Sequence, residues 1–83
     1  MSRPVKRSFS IKGHRTSISL EAPFWDAMRE AAAEQKLTLA GLVAQIDDAR
    51  SDDGGLSTAV RVWVLEYFRR RADLNSYDGG SRD

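Results

Sequence analysis

The sequence predicts a mainly α-helical domain with one short β-strand, assembled as an intertwined homodimer. Three observations lead there. Residues 15–20 read Arg-Thr-Ser-Ile-Ser-Leu, an alternation that puts Thr16, Ile18 and Leu20 on one face of a strand and Arg15, Ser17 and Ser19 on the other. Three amphipathic helical patterns follow. No later segment matches the strand in quality, and a lone strand leaves its backbone donors and acceptors unpaired. The simplest partner is the same strand in a second copy. That pairing gives an intermolecular two-stranded antiparallel ribbon, a shape that the DNA major groove admits.

Taken in order, residues 1–13 read as a basic N-terminal arm. Arg3, Lys6, Arg7 and Lys12, with Arg15 just beyond, lie in a stretch without any acidic residue, and the acids fall in the remainder. The asymmetry suggests an anionic partner, although a solvated basic tail is the plainer reading of charge alone. Phe9 and Ile11 alternate with Ser8 and Ser10, and Lys12-Gly13 has turn chemistry, so part of the arm also reads as a strand folded back in a hairpin.

The domain proper spans 14–72. After the strand, a first helix starts at about Pro23, whose missing N–H goes unused there anyway, and ends near Lys36. Phe24, Met28, Ala31 and Ala32 share one face, flanked by Trp25. Thr38 reads as the N-cap of a second helix running to about Arg50, with Leu39, Leu42, Val43 and Ile46 as its stripe. Residues 51–55, Ser-Asp-Asp-Gly-Gly, form a break. Ser57 reads as the cap of a C-terminal third helix to about Ala72. Its main stripe is Leu56, Val60, Trp63, Val64 and Tyr67, with Val62 and Leu65 on the opposite side. A helix apolar on two sides is usually buried on two sides, here by its own protomer and by the partner. Residues 73–83 read as a flexible tail. Ile18, Leu20, Phe24, Trp25, Leu42, Val43 and Ile46 are the expected dimer core.

An 83-residue chain is a single domain whose core is marginal in size, and dimerisation enlarges it. Without cysteine there is no disulfide or thiol chemistry, and with one histidine a zinc site is not expected. No catalytic constellation appears, so the chain reads as a non-enzyme without metal or cofactor. No secretory or membrane-spanning segment is evident, which points to a cytoplasmic, nucleoid-associated protein. Trp25 and Trp63, at helical spacing among apolar neighbours, read as core or dimer contacts rather than base-stacking platforms.

The order of strand, helix and capped second helix, preceded by a basic arm, resembles the ribbon-helix-helix family of DNA-binding repressors. The strand RTSISL, the helix start EAPFW and the turn KLTLAGLV carry the resemblance across residues 15–50. The longer stretches SFSIKGHRTSISLEAPFWDAM, LTLAGLVAQIDDAR and LSTAVRVWVLEYFR resemble a bacterial subgroup of short members with a third helix. The resemblance implies base reading by Arg15, Ser17 and Ser19. It also implies a phosphate grip by backbone amides around Thr38, Leu39 and Ala40. Arg3, Lys6, Arg7, Lys12 and His14 are further candidates for phosphate contacts. Two departures stand out. Lys36 sits where many members have glycine, which implies either a left-handed, strained residue or a different end to the first helix. Ser17 and Ser19 make single hydrogen bonds only, leaving Arg15 as the one forked donor of the strand.

The expected function is a homodimeric, sequence-specific binder of double-stranded DNA that regulates transcription. Two alternatives use the third helix to hold a protein partner: an antitoxin-like protein, or a dimeric interaction module. A capped helix with a short tail counts against the first, and the basic arm against the second.

Overall fold

The computed structural model of the chain describes residues 3–50 and 55–78. It contains β1 (Pro4–Ile11), β2 (His14–Glu21), α1 (Ala22–Glu34), α2 (Leu39–Ala49) and α3 (Leu56–Asp78). Two antiparallel strands form a ribbon, and three helices follow, as the resemblance implies for a ribbon-helix-helix chain with an added helix.

The ribbon turns at Lys12 and Gly13, both with positive φ (53° and 80°). Two consecutive left-handed residues match the twist of a two-residue hairpin loop. Glycine adopts that conformation freely, whereas a lysine loses about 1 kcal/mol there. The Lys12 ammonium is tied to the Asp48 carboxylate near the end of α2, which docks the turn on the helical layer.

One expectation is corrected here. Residues 4–11 are not a basic arm but a strand folded back on β2 within the chain, the hairpin that the Lys12-Gly13 turn suggested. The pairing runs from Pro4 opposite Glu21 to Ile11 opposite His14. The reason is apolar. Ile11 is buried in the core, and the Phe9 ring packs 5.9 Å from that of Trp25. The Trp25 Nε1–H donates to the Val5 carbonyl at 2.9 Å, pinning the first strand to α1.

Under the ribbon, Ile18, Leu20, Met28, Leu42, Val43 and Val60 are fully buried, with Trp25 and Ile46 nearly so. The residues expected to fill a dimer core therefore meet inside one chain. Trp25 is central because β1 covers it, and Phe24 sits at the core's rim.

The helix ends follow local rules. The Lys36 N–H bonds Ala33 O and the Leu37 N–H bonds Ala32 O at 2.9 Å, with Lys36 left-handed at φ 59°. This is a Schellman motif in which lysine occupies the position that favours glycine. Thr38 caps α2 as expected, its Oγ1 accepting from the Gly41 N–H at 3.0 Å. Ser57 does not cap α3, which begins one residue earlier. The Ser57 hydroxyl instead accepts from the Ser19 N–H at 3.1 Å. The third helix also continues past Ala72 to Asp78. Its Arg71 pairs with Glu30 and Glu34 at 2.9 and 2.8 Å, and the Tyr67 hydroxyl donates to the Glu34 carboxylate, so this helix is fastened along α1. Positions 51–54 of the expected break and 79–83 of the expected tail lie outside the described residues. Among the described residues, no helix is long and apolar enough to cross a membrane.

Candidate nucleic-acid interface

Residues opposite one another on paired strands share a face, so the register decides which side chains leave the ribbon together. Lys6, Ser8 and Ser10 of β1 pair with Ser19, Ser17 and Arg15 of β2. These six side chains form the outer face, while Arg7, Phe9, Ile11, Thr16, Ile18 and Leu20 belong to the inner one. The Ser8 and Ser17 hydroxyls lie 3.4 Å apart across the strands. Lys6 and Arg15 are both exposed, at opposite ends of the face. Small hydroxyls between two long cations leave the backbone free to approach a flat polar surface closely. Each serine offers a donor and an acceptor, and the arginine a fork of donors.

Glu21, at the end of β2, is the acid on this side of the ribbon. It lies within reach of Arg61 of α3, which donates Nε–H at 3.2 Å and Nη2–H at 3.1 Å to its carboxylate. Arg61 also donates to the Ser19 carbonyl at 3.2 Å and lies over the Phe24 ring. A backbone hydrogen bond, above all, holds the Glu21 carboxyl below its ordinary pKa; desolvation opposes it, and the Arg61 guanidinium adds a smaller lowering. The outer face thus presents its positive charge without a bare carboxylate beside it.

The same contacts occupy part of the second edge of β2. The Ser19 N–H and C=O both point away from β1, to Ser57 and Arg61. Backbone groups of alternate residues face the same edge, so those of Arg15 and Ser17 lie along it too.

The other expected site residues separate. Arg7 is on the inner face, its guanidinium 5.5 Å from the Trp25 ring centre. His14 shares that side by alternation, exposed next to the turn, and Lys12 is engaged by Asp48. Arg3 precedes β1 and is exposed. Thr38, Leu39 and Ala40 open α2 at the end opposite Asp48. With a rise of 1.5 Å per residue, that puts them about 15 Å along the helix from the residue that holds the ribbon's turn. Ser8 and Ser10 belong to the outer face although they were not among the expected site residues. Counting back from the Lys12-Gly13 turn identifies them. Arg61 left no such signal, because its partner lies 40 residues away in sequence.

With this geometry in view, comparison with known proteins adds the following. The family described as ribbon-helix-helix domain matches residues 4–68. Among solved structures, the chain is similar to an uncharacterized protein from Bordetella pertussis Tohama I, with a TM-score of 0.73 and 28% identity. The likeness covers 84% of this chain and 59% of that one, so the chain spans under two thirds of that protein's length. No curated protein matches the chain.

Proposed function

The chain belongs to the ribbon-helix-helix family, and from that membership we propose that it is a homodimeric, sequence-specific DNA-binding protein that regulates transcription. Members of the family are typically non-enzymatic and generally bind DNA as dimers. The observation that carries the reading is the outer face of the ribbon, where exposed cations and serines stand together and the nearby Glu21 is matched by Arg61. A two-stranded ribbon fits the major groove, and such side chains recognise base edges by hydrogen bonding. Arg15, Ser17 and Ser19 are the base readers. Arg3, Arg7, His14 and the first amides of α2 flank the groove and meet phosphates. Lys12 joins them by exchanging Asp48 for a phosphate. Acting on DNA without metal or cofactor, the protein belongs on the nucleoid.

The second copy docks on α3. Val62 and Leu65 are 48% and 56% exposed there. Val62 lines a groove of about 390 Å³ between α2 and α3, together with Ile46, Ala49, Ala59 and Trp63. A family that works as dimers favours a copy of this chain over an unrelated protein as the occupant.

The test is titration of a labelled random duplex over a range of salt. Phosphate neutralisation predicts a linear fall of log affinity with log salt, with a slope of about −0.9 per phosphate contacted. Absence of duplex binding at low salt overturns the proposal.

A further inference from the structure

We infer that β1 is the outer strand of a four-stranded sheet made by two copies, in the order β1-β2-β2-β1, and that its exposed Lys6, Ser8 and Ser10 grip the phosphates along the walls of the groove that β2 reads. The inference rests on the DNA-binding reading above and deepens it by giving β1 a role. β2 has two edges, and β1 takes one of them. The other carries the backbone groups of Arg15, Ser17 and Ser19, and there the strand of a second copy adds. The α3 strip proposed for that copy leads to the same place. Leu65 follows Arg61 by one helical turn, and Arg61 donates to the Ser19 carbonyl, so a copy seated at Leu65 lies alongside this edge. At Ser19 the incoming strand replaces the side-chain contacts of Ser57 and Arg61 with backbone hydrogen bonds.

Strand spacing then divides the work. Neighbouring strands lie about 4.8 Å apart, so the two β2 strands make a narrow central pair and the two copies of β1 stand about 14 Å apart. The major groove is about 12 Å wide. The central pair fits between its walls, whereas β1 falls over the sugar-phosphate ridge on each side. The side chains suit that position. The register sets Ser10 beside Arg15, Ser8 beside Ser17 and Lys6 beside Ser19, so each reader on β2 has a β1 neighbour on the same outer face. Lys6, Ser8 and Ser10 are all exposed, and residues 3–12 contain no acid to repel a phosphate. An ammonium and hydroxyls bind phosphate oxygens whatever the base sequence. Such contacts fix where the sheet sits, which lets the short Ser17 and Ser19 side chains reach base edges.

Salt titrations on a selected and a random duplex test the inference, with wild type, Lys6→Ala, the double variant Ser8→Ala with Ser10→Ala, and Arg15→Ala. Lys6→Ala should weaken binding to both duplexes by the same factor. It should also make the slope of log affinity against log salt shallower by about 1.8 per dimer, one phosphate for each protomer. The double serine variant should weaken both duplexes equally but leave the slope unchanged, because a hydroxyl neutralises no phosphate. Arg15→Ala should instead lose mainly the selected duplex. Ser17→Cys, in a chain otherwise without cysteine, should crosslink between copies through a short bis-maleimide. Melts of the Lys6 and serine variants should match wild type, because these side chains are exposed. If Lys6→Ala changes the preferred sequence and leaves the slope intact, β1 sits inside the groove. If it changes neither affinity nor slope, β1 lies off the DNA. If the Ser17→Cys copies do not crosslink, the second copy's strand is elsewhere. Each of these outcomes overturns the inference while DNA binding stands. If the wild type binds no duplex, the DNA-binding reading falls first and this inference with it.

Discussion

Arg15 and Lys36 show how single residues divide between function and fold. Arg15 is exposed on the outer face, so its truncation should leave folding alone and cost about 1–3 kcal/mol per protomer at a cognate site, less on random DNA. Ser17→Ala should cost about 0.5–1.5 kcal/mol, the net worth of one neutral hydrogen bond. Anisotropy titrations on selected and random duplexes, beside thermal melts, check both. Equal losses on the two DNAs would make Arg15 a phosphate contact. Lys36 behaves in the opposite way. Its left-handed φ of 59° closes the Schellman turn between α1 and α2. Glycine relieves the strain but adds unfolded-state entropy, so Lys36→Gly should stabilise by about 0.5–1 kcal/mol. A denaturant midpoint that falls instead would show that the lysine side chain contributes more than its backbone conformation loses. Both residues were legible in the sequence: Arg15 from alternation, Lys36 from standing where relatives carry glycine.

At the scale of elements, the strand 15–20, the capped second helix and the apolar stripes of all three helices were readable because each depends on neighbours a few positions away. The first strand was only half readable. Phe9 and Ile11 alternate correctly, but Lys6 and Arg7 in succession look like a solvated arm until Trp25 is placed beneath them. The α3 start was misread for a related reason. A serine near a helix start fits a cap, and only the tertiary structure shows Ser57 turned toward β2. The clasp that results is testable through pH. The Glu21 carboxyl is held below its ordinary value, so the ionised form is favoured in the folded state. Its contribution is complete above the ordinary glutamate range and is lost as pH falls through the lowered folded value. Melting temperatures measured from neutral pH into acid should therefore drop further for wild type than for Glu21→Gln, and Arg61→Ala, which leaves the backbone hydrogen bond in place, should fall between the two. Identical profiles would mean that the clasp adds nothing to stability. Beneath it, Trp25→Ala should cost about 3–5 kcal/mol, because the indole is nearly fully buried and its N–H anchors β1. Chemical denaturation measures that loss.

For the whole molecule, the core residues are already buried within one chain, and two arrangements of the second copy make different predictions. Ile18, Leu20, Leu42 and Val43 have no exposed surface left for a partner to cover. A dimer built on these residues would be inseparable from folding, with an unfolding midpoint that rises with protein concentration. A dimer docked on the exposed strip of α3 separates instead into folded monomers. Val62→Asp combined with Leu65→Asp places two carboxylates on that strip, and neither side chain is part of the core. The double variant should sediment as a monomer, keep its helical signal and melt within a few degrees of wild type. Its affinity for a two-half-site duplex should fall by orders of magnitude, while binding to a single half-site should change little, because linking two modules multiplies affinity without new contacts. Three outcomes separate the possibilities. A monomeric, folded variant that has lost only its two-site advantage places the dimer contact on α3. A variant that stays dimeric moves the contact elsewhere. A variant that unfolds, with a wild-type midpoint that climbs with concentration, shows that the second copy takes part in the core after all.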